Sequence, residues 1–260
     1  MPIRVAGYRA VFKTATNNNT PSMKRQHIIG VSSAKTEKGE ALGYLTGICY
    51  LSPEKTAEIP GLNVCPWAGN CKAVCLNTAG RGAFSSVQKG RRRKTSLWAT
   101  DKEEFLRNAA LDIKSIVRKA KREGLKPCIR MDGTSDIGIA LTRGKDGKRL
   151  VDMFPDVQFY DYTKSFARMI RFLTGTLPKN YHLTFSHDGV TNYSDCKTVL
   201  AMGGNVAVVF RKKIPTEWAV TQVIDGDASD LRFLDPQGGY FVGLKAKGKA
   251  KKDISGFVVG

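Results

Sequence analysis

Cys65, Cys71 and Cys75 place three of the chain's six cysteines within eleven residues, in the run Cys-Pro-Trp-Ala-Gly-Asn-Cys-Lys-Ala-Val-Cys, directly downstream of an apolar, β-prone stretch. Thiolates are soft ligands that select zinc, copper(I) or iron–sulfur clusters over magnesium or calcium. Two short spacings in one loop can bring three sulfurs around one centre without long-range folding. Three thiolates also leave one coordination position open, and an open position is where chemistry can happen. The competing reading is of unligated thiols or disulfides, since a free cysteine often behaves as a small buried hydrophobe. Isolated core cysteines have no reason to crowd into a loop carrying Pro66, Gly69 and Asn70, so the metal reading is preferred.

A closed structural zinc site needs a fourth ligand, which Cys49, Cys128 or Cys196 would have to supply, and Cys49 and Cys128 lie inside apparent strands. A three-cysteine loop at the top of the first strand of an α/β barrel instead suits a 4Fe-4S cluster whose fourth iron is free for a substrate or cofactor. Zinc remains the alternative. Asp225, Asp227 and Asp230 offer hard oxygen ligands that could hold magnesium beside a phosphate, without the twelve-residue calcium-loop pattern. His187, in Ser186-His187-Asp188-Gly189, stands where a general acid or base could project, although a turn histidine with no role is the plainer reading. Lys164 is a candidate phosphate or carboxylate ligand, with Tyr160 or Tyr162 available to stack on a base. A Walker phosphate loop, a His-x-x-x-His pair, a Gly-x-Ser-x-Gly elbow and a Gly-x-Gly-x-x-Gly fingerprint are all absent from the sequence.

These residues need elements to position them. Gly43–Leu51 is a β-prone run ending at Ser52-Pro53, followed by the cysteine loop 63–82. Thr100 to Gly124 reads as a helix, with a Thr100/Glu103 capping box and a stripe of Phe105, Leu106, Ala109, Ile113, Ile116, Val117 and Ala120. Strand-like runs follow at Pro127–Met131, Val157–Tyr162, Tyr181–Ser186, Asn205–Phe210, Ala219–Ile224 and Tyr240–Leu244, with helices expected at Ser165–Leu173 and Asn192–Met202. The alternation predicts an α/β domain built on a mainly parallel sheet, as an open sheet or a partial (βα) barrel. Ligands in such folds sit beyond the carboxyl ends of the strands. Asp132, Asp136, Lys164, His187, Arg211, Lys212 and Asp225 all fall at or just after strand ends, so one rim is expected to carry them beside the cysteines. The expected division is a polar extension over 1–43, a barrel-like domain over 44–244 and a basic segment over 245–260, with a small N-terminal and basic lobe beside the barrel.

With 42 Lys and Arg against 23 Asp and Glu, the formal net charge is +19, a field that attracts polyanions. Arg91-Arg92-Arg93-Lys94 and the C-terminal lysines are the clusters, and Arg81, Arg211 and Lys212 join them as candidate contacts to DNA or RNA. The absence of any run near 18 apolar residues and of a signal-peptide core predicts a cytoplasmic protein with reduced cysteines and no membrane partner.

Gly43-Tyr44-Leu45-Thr46-Gly47, Asn63-Val64-Cys65-Pro66 with Cys71 and Cys75, Thr78-Ala79-Gly80-Arg81-Gly82 and Arg130–Asp136 together resemble the gene-product-88-like proteins of bacteriophages. Phe159–Lys164, His182–Ser186 and Val242–Gly248 resemble them too, so the likeness spans roughly residues 40–260. It implies a phage origin and a host-cytoplasm location, and supplies no activity. A more distant resemblance is to radical S-adenosylmethionine enzymes, whose cluster cysteines follow the first strand of a partial barrel. That superfamily uses Cys-x3-Cys-x2-Cys, whereas this chain has Cys65-x5-Cys71-x3-Cys75 and lacks a Gly-Gly-Glu-like element. The resemblance thus implies a cluster more strongly than it implies S-adenosylmethionine.

The expectation is a phage iron–sulfur protein acting on or binding nucleic acid or nucleotides; if it is an enzyme, the expected reaction is cluster-assisted modification of a base or nucleotide. Asp132, Asp136, Lys164, His187 and Asp225 would then support the reaction. A non-catalytic DNA- or RNA-binding protein stapled by zinc or a cluster, and a magnesium nuclease using Asp225, Asp227 and Asp230, are the alternatives.

Overall fold

The computed structural model describes residues 25–32 and 34–260. The alternating β-prone runs form a ten-stranded, mostly parallel sheet: β1 (Ile29–Gly30), β2 (Tyr44–Cys49), β3 (Lys126–Arg130), β4 (Gln158–Thr163), β5 (Tyr181–Ser186), β6 (Val206–Phe210), β7 (Glu217–Trp218), β8 (Thr221–Asp225), β9 (Phe241–Lys245) and β10 (Val258–Val259). The helices are α1 (Ala34–Glu40), α2 (Ser85–Thr100), α3 (Lys102–Glu123), α4 (Leu150–Met153), α5 (Phe166–Leu173) and α6 (Tyr193–Ala201). The strand order is β1-β2-β3-β4-β5-β6-β9-β8-β7, with β10 paired to β6. From β2 to β6 each strand lies parallel to its successor. Every return must therefore cross over the sheet, and the carboxyl ends of these strands share one rim.

Alternation along the strands separates two faces. Leu45, Ile129, Phe159, Leu183 and Phe185 join the main core with Phe105, Ala109 and Ile113 of α3. Cys128 and Tyr160 meet Leu231, and Tyr44 and Phe233 pack against that second cluster. The segment after β8 thus folds across the inner face of β2, β3 and β4. A buried ion pair fixes it there, with Arg130 Nη1 3.1 Å from Asp230 Oδ2.

The sheet divides at its carboxyl edge. β5 pairs with β6 at Phe185–Val206 and Ser186–Ala207, but Val209 and Phe210, farther along β6, pair with Val258 and Val259 of β10. Ala246, Ala250 and Val258 pack on Val74 of the cysteine loop, so the basic segment 245–260 is folded against that loop.

α3 carries the stripe read from the sequence, but begins one residue later than the proposed cap. Asp101 Oδ1 accepts from Glu104 N at 2.9 Å, Thr100 ends α2, and Gly124 closes α3 at φ +67°. Buried Asp112 on α3 accepts from Ile28 N (2.6 Å) and Ile29 N (3.0 Å) and meets the side chains of Arg25 and His27. Residues 25–29 are thereby tied into the fold, α1 packs against β2, and residues 1–24 and 33 of the polar extension lie outside the described residues. The region expected as a basic lobe contains helix α2. Among the described residues no helix is long and apolar enough to cross a membrane.

Candidate functional site

A cavity of about 420 Å³ opens over the carboxyl ends of the strands. Cys65, Cys71 and Cys75 line it together with Asp132, Asp136, Lys164 and Ser186, and Lys38, Asp227, Lys245 and Lys247 stand at its side. This is where a parallel sheet leaves its strand-end loops free to build a site. His187, Asp225, Arg211 and Lys212 are not among the lining residues.

The cysteine loop is held by buried Asp188, in the turn after β5. Its two carboxylate oxygens accept from successive backbone amides, Asn70 N and Cys71 N, each at 3.0 Å. Thr191 Oγ1 donates to it as well. A side chain at Gly69 would overlap Asp188 Oδ2, so glycine is what lets the backbone come this close. Asn70 Nδ2 reaches the carbonyls of Asp188 (3.3 Å) and Ser255 (3.0 Å), joining the loop to the C-terminal segment. At the loop's start, Asn63 Oδ1 accepts from Cys65 N at 2.8 Å, and Cys65 Sγ lies 3.4 Å from the carbonyl of Thr134. At its far end, Arg91 of α2 donates to the carbonyl and side-chain oxygens of Asn77 and lies over the Tyr50 ring.

Burial pushes the Cys65 thiol up to about 12 and raises that of Cys71. Burial thus favours the protonated form of both, and a bound metal would have to displace that proton. All six cysteines of the chain are free of disulfides. Among the described residues no three His, Cys, Asp or Glu side chains are drawn to one point. The three sulfurs share a cavity wall rather than a closed cage. As a donor set, three thiols without a histidine or carboxylate among them suit zinc or an iron–sulfur cluster.

The carboxylates at the cavity have local duties. Buried Asp132 accepts from Ser135 Oγ (2.6 Å), Gly138 N (2.8 Å) and Ile139 N (3.1 Å), shaping the turn after β3, and burial raises its carboxyl above the usual range. Asp136 accepts from Thr163 Oγ1 (2.8 Å), Lys164 N (2.8 Å) and Arg168 Nη1 (2.6 Å), fixing the backbone that presents Lys164. Lys164 Nζ is 2.8 Å from Ser186 Oγ and 5.5 Å from the centroid of Phe257.

The remaining candidates are dispersed. His187 is buried, its Nδ1 accepts from Gly189 N at 3.3 Å, and its ring meets Trp218 edge to face; burial lowers its basicity. Asp225 caps Asp227 N at 2.9 Å, Asp227 binds Lys247 Nζ at 2.8 Å, and Asp230 pairs with Arg130. Those three acids are committed to three different partners. The Arg91–Lys94 run does not form one surface. Helical rotation buries Arg91, sends Lys94 Nζ to the carbonyl of Ile28 at 3.1 Å and leaves Arg92 and Arg93 exposed. Arg211 donates to the carbonyls of Lys251 (3.0 Å) and Asp253 (2.8 Å), whereas Arg81 and Lys212 are exposed.

Asp188 was missed as a site residue, although it adjoins His187 in the sequence. Its partners are backbone amides more than a hundred positions away, which no side-chain pattern reports. The nearest signal is Gly69-Asn70 before Cys71, a dipeptide suited to close backbone approach. No curated protein and no solved structure matches the chain. A family model described as Gene product 88 matches residues 21–259, nearly the full length, and the chain belongs to that bacteriophage family.

Proposed function

We propose that this protein binds a 4Fe-4S cluster through Cys65, Cys71 and Cys75 and acts on a nucleotide or nucleic acid presented at the strand-end cavity. The observation that carries the reading is the division of the cysteines. The three in the loop all line one cavity, while Cys49, Cys128 and Cys196 are buried in the core. Cys65, Cys71 and Cys75 would hold the cluster, which would supply electron transfer and Lewis acidity at the cavity. The chain's own residues would hold the loop in place through Asp188 and shape the cavity wall through Asp132 and Asp136. Lys164 and Ser186 would contact what enters. A partial barrel of the radical S-adenosylmethionine kind is the finer architectural reading, favoured by the run of consecutive parallel strands from β2 to β6. Use of S-adenosylmethionine itself lacks its usual motifs.

The volume of the cavity falls within the range of small-molecule sites, which favours a nucleotide or a flipped-out base over a duplex inside it. The test is an electron paramagnetic resonance spectrum of anaerobically purified, dithionite-reduced protein, with and without mixed nucleotides or a single-stranded oligonucleotide. A cluster signal that changes on addition is expected. A cluster signal unmoved by either addition, with no binding by mobility shift, would reject the substrate assignment.

A second reading, a nucleic-acid-binding protein in which zinc or a cluster only staples the loop, is favoured by the +19 charge and by exposed Arg81, Arg92, Arg93 and Lys212. It expects steeply salt-dependent binding that survives loss of Lys164. The magnesium-nuclease reading has less support, because Asp227 and Asp230 are engaged by lysine and arginine.

A further inference from the structure

Lys164 differs from three other cations that line the cavity, Lys38, Lys247 and Arg130. Lys247 is held by the Asp227 carboxylate, Lys38 by the Asp227 carbonyl and Arg130 by Asp230. Among the described residues Lys164 has no carboxylate at ion-pair distance, and its ammonium is met by the Ser186 hydroxyl at 2.8 Å. The ammonium also sits near an aromatic ring, Phe257, in a half-buried position. A partly desolvated charge without a counter-ion is costly, and an arriving anion removes that cost.

The neighbouring cation points the same way. Tyr162, near the end of β4, and Lys164, just beyond it, both line the cavity, and the Arg130 guanidinium stacks on Tyr162 at 4.6 Å from its centroid. Arg130 lines the cavity, is 6% exposed, and keeps a buried Nε–H with no acceptor. Asp136 does not neutralise Lys164, because its oxygens are occupied by Lys164 N, Thr163 and Arg168. An ammonium, a hydroxyl and a buried guanidinium N–H without an acceptor, on residues that line one cavity, suit a group with several acceptor oxygens.

We infer that Lys164 and Ser186, backed by Arg130, form a subsite for the phosphate of a nucleotide-sized substrate, next to the cysteine loop. The inference names the substrate class for the site proposed above and rests on that reading for its location. It does not depend on the cluster's being present.

The experiment is calorimetric titration of the full-length protein with inorganic phosphate, with acetate as the carboxylate probe and iron measured on the same preparation. Saturable phosphate binding is expected, weakened at least about tenfold in Lys164→Met, on the scale of a lost charge-assisted hydrogen bond. Ser186→Ala should weaken it severalfold, and Lys121→Ala, on the exposed side of α3, should leave it unchanged. Thermal unfolding of each variant separates lost binding from lost folding, and Lys164→Gln replaces Lys164→Met if the latter unfolds. Absence of saturable binding at millimolar phosphate, equal affinity in both Lys164 and Ser186 variants, or acetate binding as tight as phosphate would each overturn the inference. Phosphate binding in iron-free protein would leave the subsite standing and sink the cluster reading. Iron-loaded protein that ignores phosphate would do the reverse.

Discussion

Cys49, Cys128 and Cys196 lie inside strands and helix faces, where the Cys128 sulfur meets Thr46 Oγ1 at 3.3 Å and that of Cys196 lies near Asn192 Oδ1. Cys65, Cys71 and Cys75 line an open cavity. Acidity does not set Cys65 apart from the core thiols. Burial pushes Cys49, Cys128 and Cys196 up to about 12, and Cys65 to the same value. What separates them is the space in front of the sulfur. A core thiol has packed neighbours on every side, whereas a loop thiol has room for a ligand to replace its proton. For Cys65, the open cavity in front of the sulfur distinguishes it from the core thiols where burial of the thiol does not.

The sharpest way to break this comparison is to exchange the two groups in one experiment. Cys75→Ala should abolish metal retention with little loss of stability. Cys128→Ala should keep the metal and cost about 1–3 kcal/mol of unfolding free energy, measured by denaturant titration. Metal retained in Cys75→Ala and lost in Cys128→Ala would invert the account.

The next effect concerns the clamp. Asp188→Ala leaves the Asn70 and Cys71 amides without their acceptor, at a cost of about 1–3 kcal/mol if they stay buried. Metal should be lost faster to a chelator in this variant, and Gly69→Ala should act in the same direction. If both variants hold metal as the parent protein does, Asp188 is not what positions the loop.

Third comes the contrast within the basic run. Arg92→Ala and Arg93→Ala should each reduce the slope of log affinity against log salt by about 1 if they touch phosphates. Arg91→Ala should instead lower stability, because Arg91 anchors Asn77 from a buried position. Equal effects of all three on the salt slope would contradict the orientation of α2.

The smallest effect is a pH dependence. Burial lowers His182 from its ordinary value to about 4, and its Nε2 has no partner. The unfolded chain then binds this proton more readily than the folded one between roughly pH 6.5 and pH 4. The contribution of His182 to stability is complete above that window and is lost as pH falls through it. His182→Phe should flatten the fall of the unfolding midpoint across this range relative to the parent, and an unchanged pH profile would argue against a neutral buried His182.

The central strands were legible because each is a short, β-prone run bounded by Gly, Pro or polar residues. Tyr181–Ser186 emerges with the boundaries read from the sequence. The rim was legible in part, since Asp132, Asp136, Lys164 and the cysteines line one cavity, whereas His187, Arg211, Lys212 and Asp225, expected beside them, do not. Helix α2 was not, because its inward positions are Arg91, Thr95 and Trp98, which form no apolar stripe. A run of four basic residues reads as a charged patch in one dimension and wraps around a helix in three. The seam where β10 replaces β5 beside β6 was hidden as well, since Val258-Val259 is too short for a periodic signal. The duty of Asp136 toward Lys164 N, like that of Asp188 toward the cysteine loop, depends on backbone partners that composition does not record.

The measurement that bears most directly on the central claim is iron, sulfide and zinc content of the full-length protein purified without oxygen. About four irons and a matching amount of sulfide per chain, accompanied by visible colour, are what a cluster on Cys65, Cys71 and Cys75 predicts. One zinc per chain and no colour would contradict it, and would make the loop a staple in a basic nucleic-acid-binding protein.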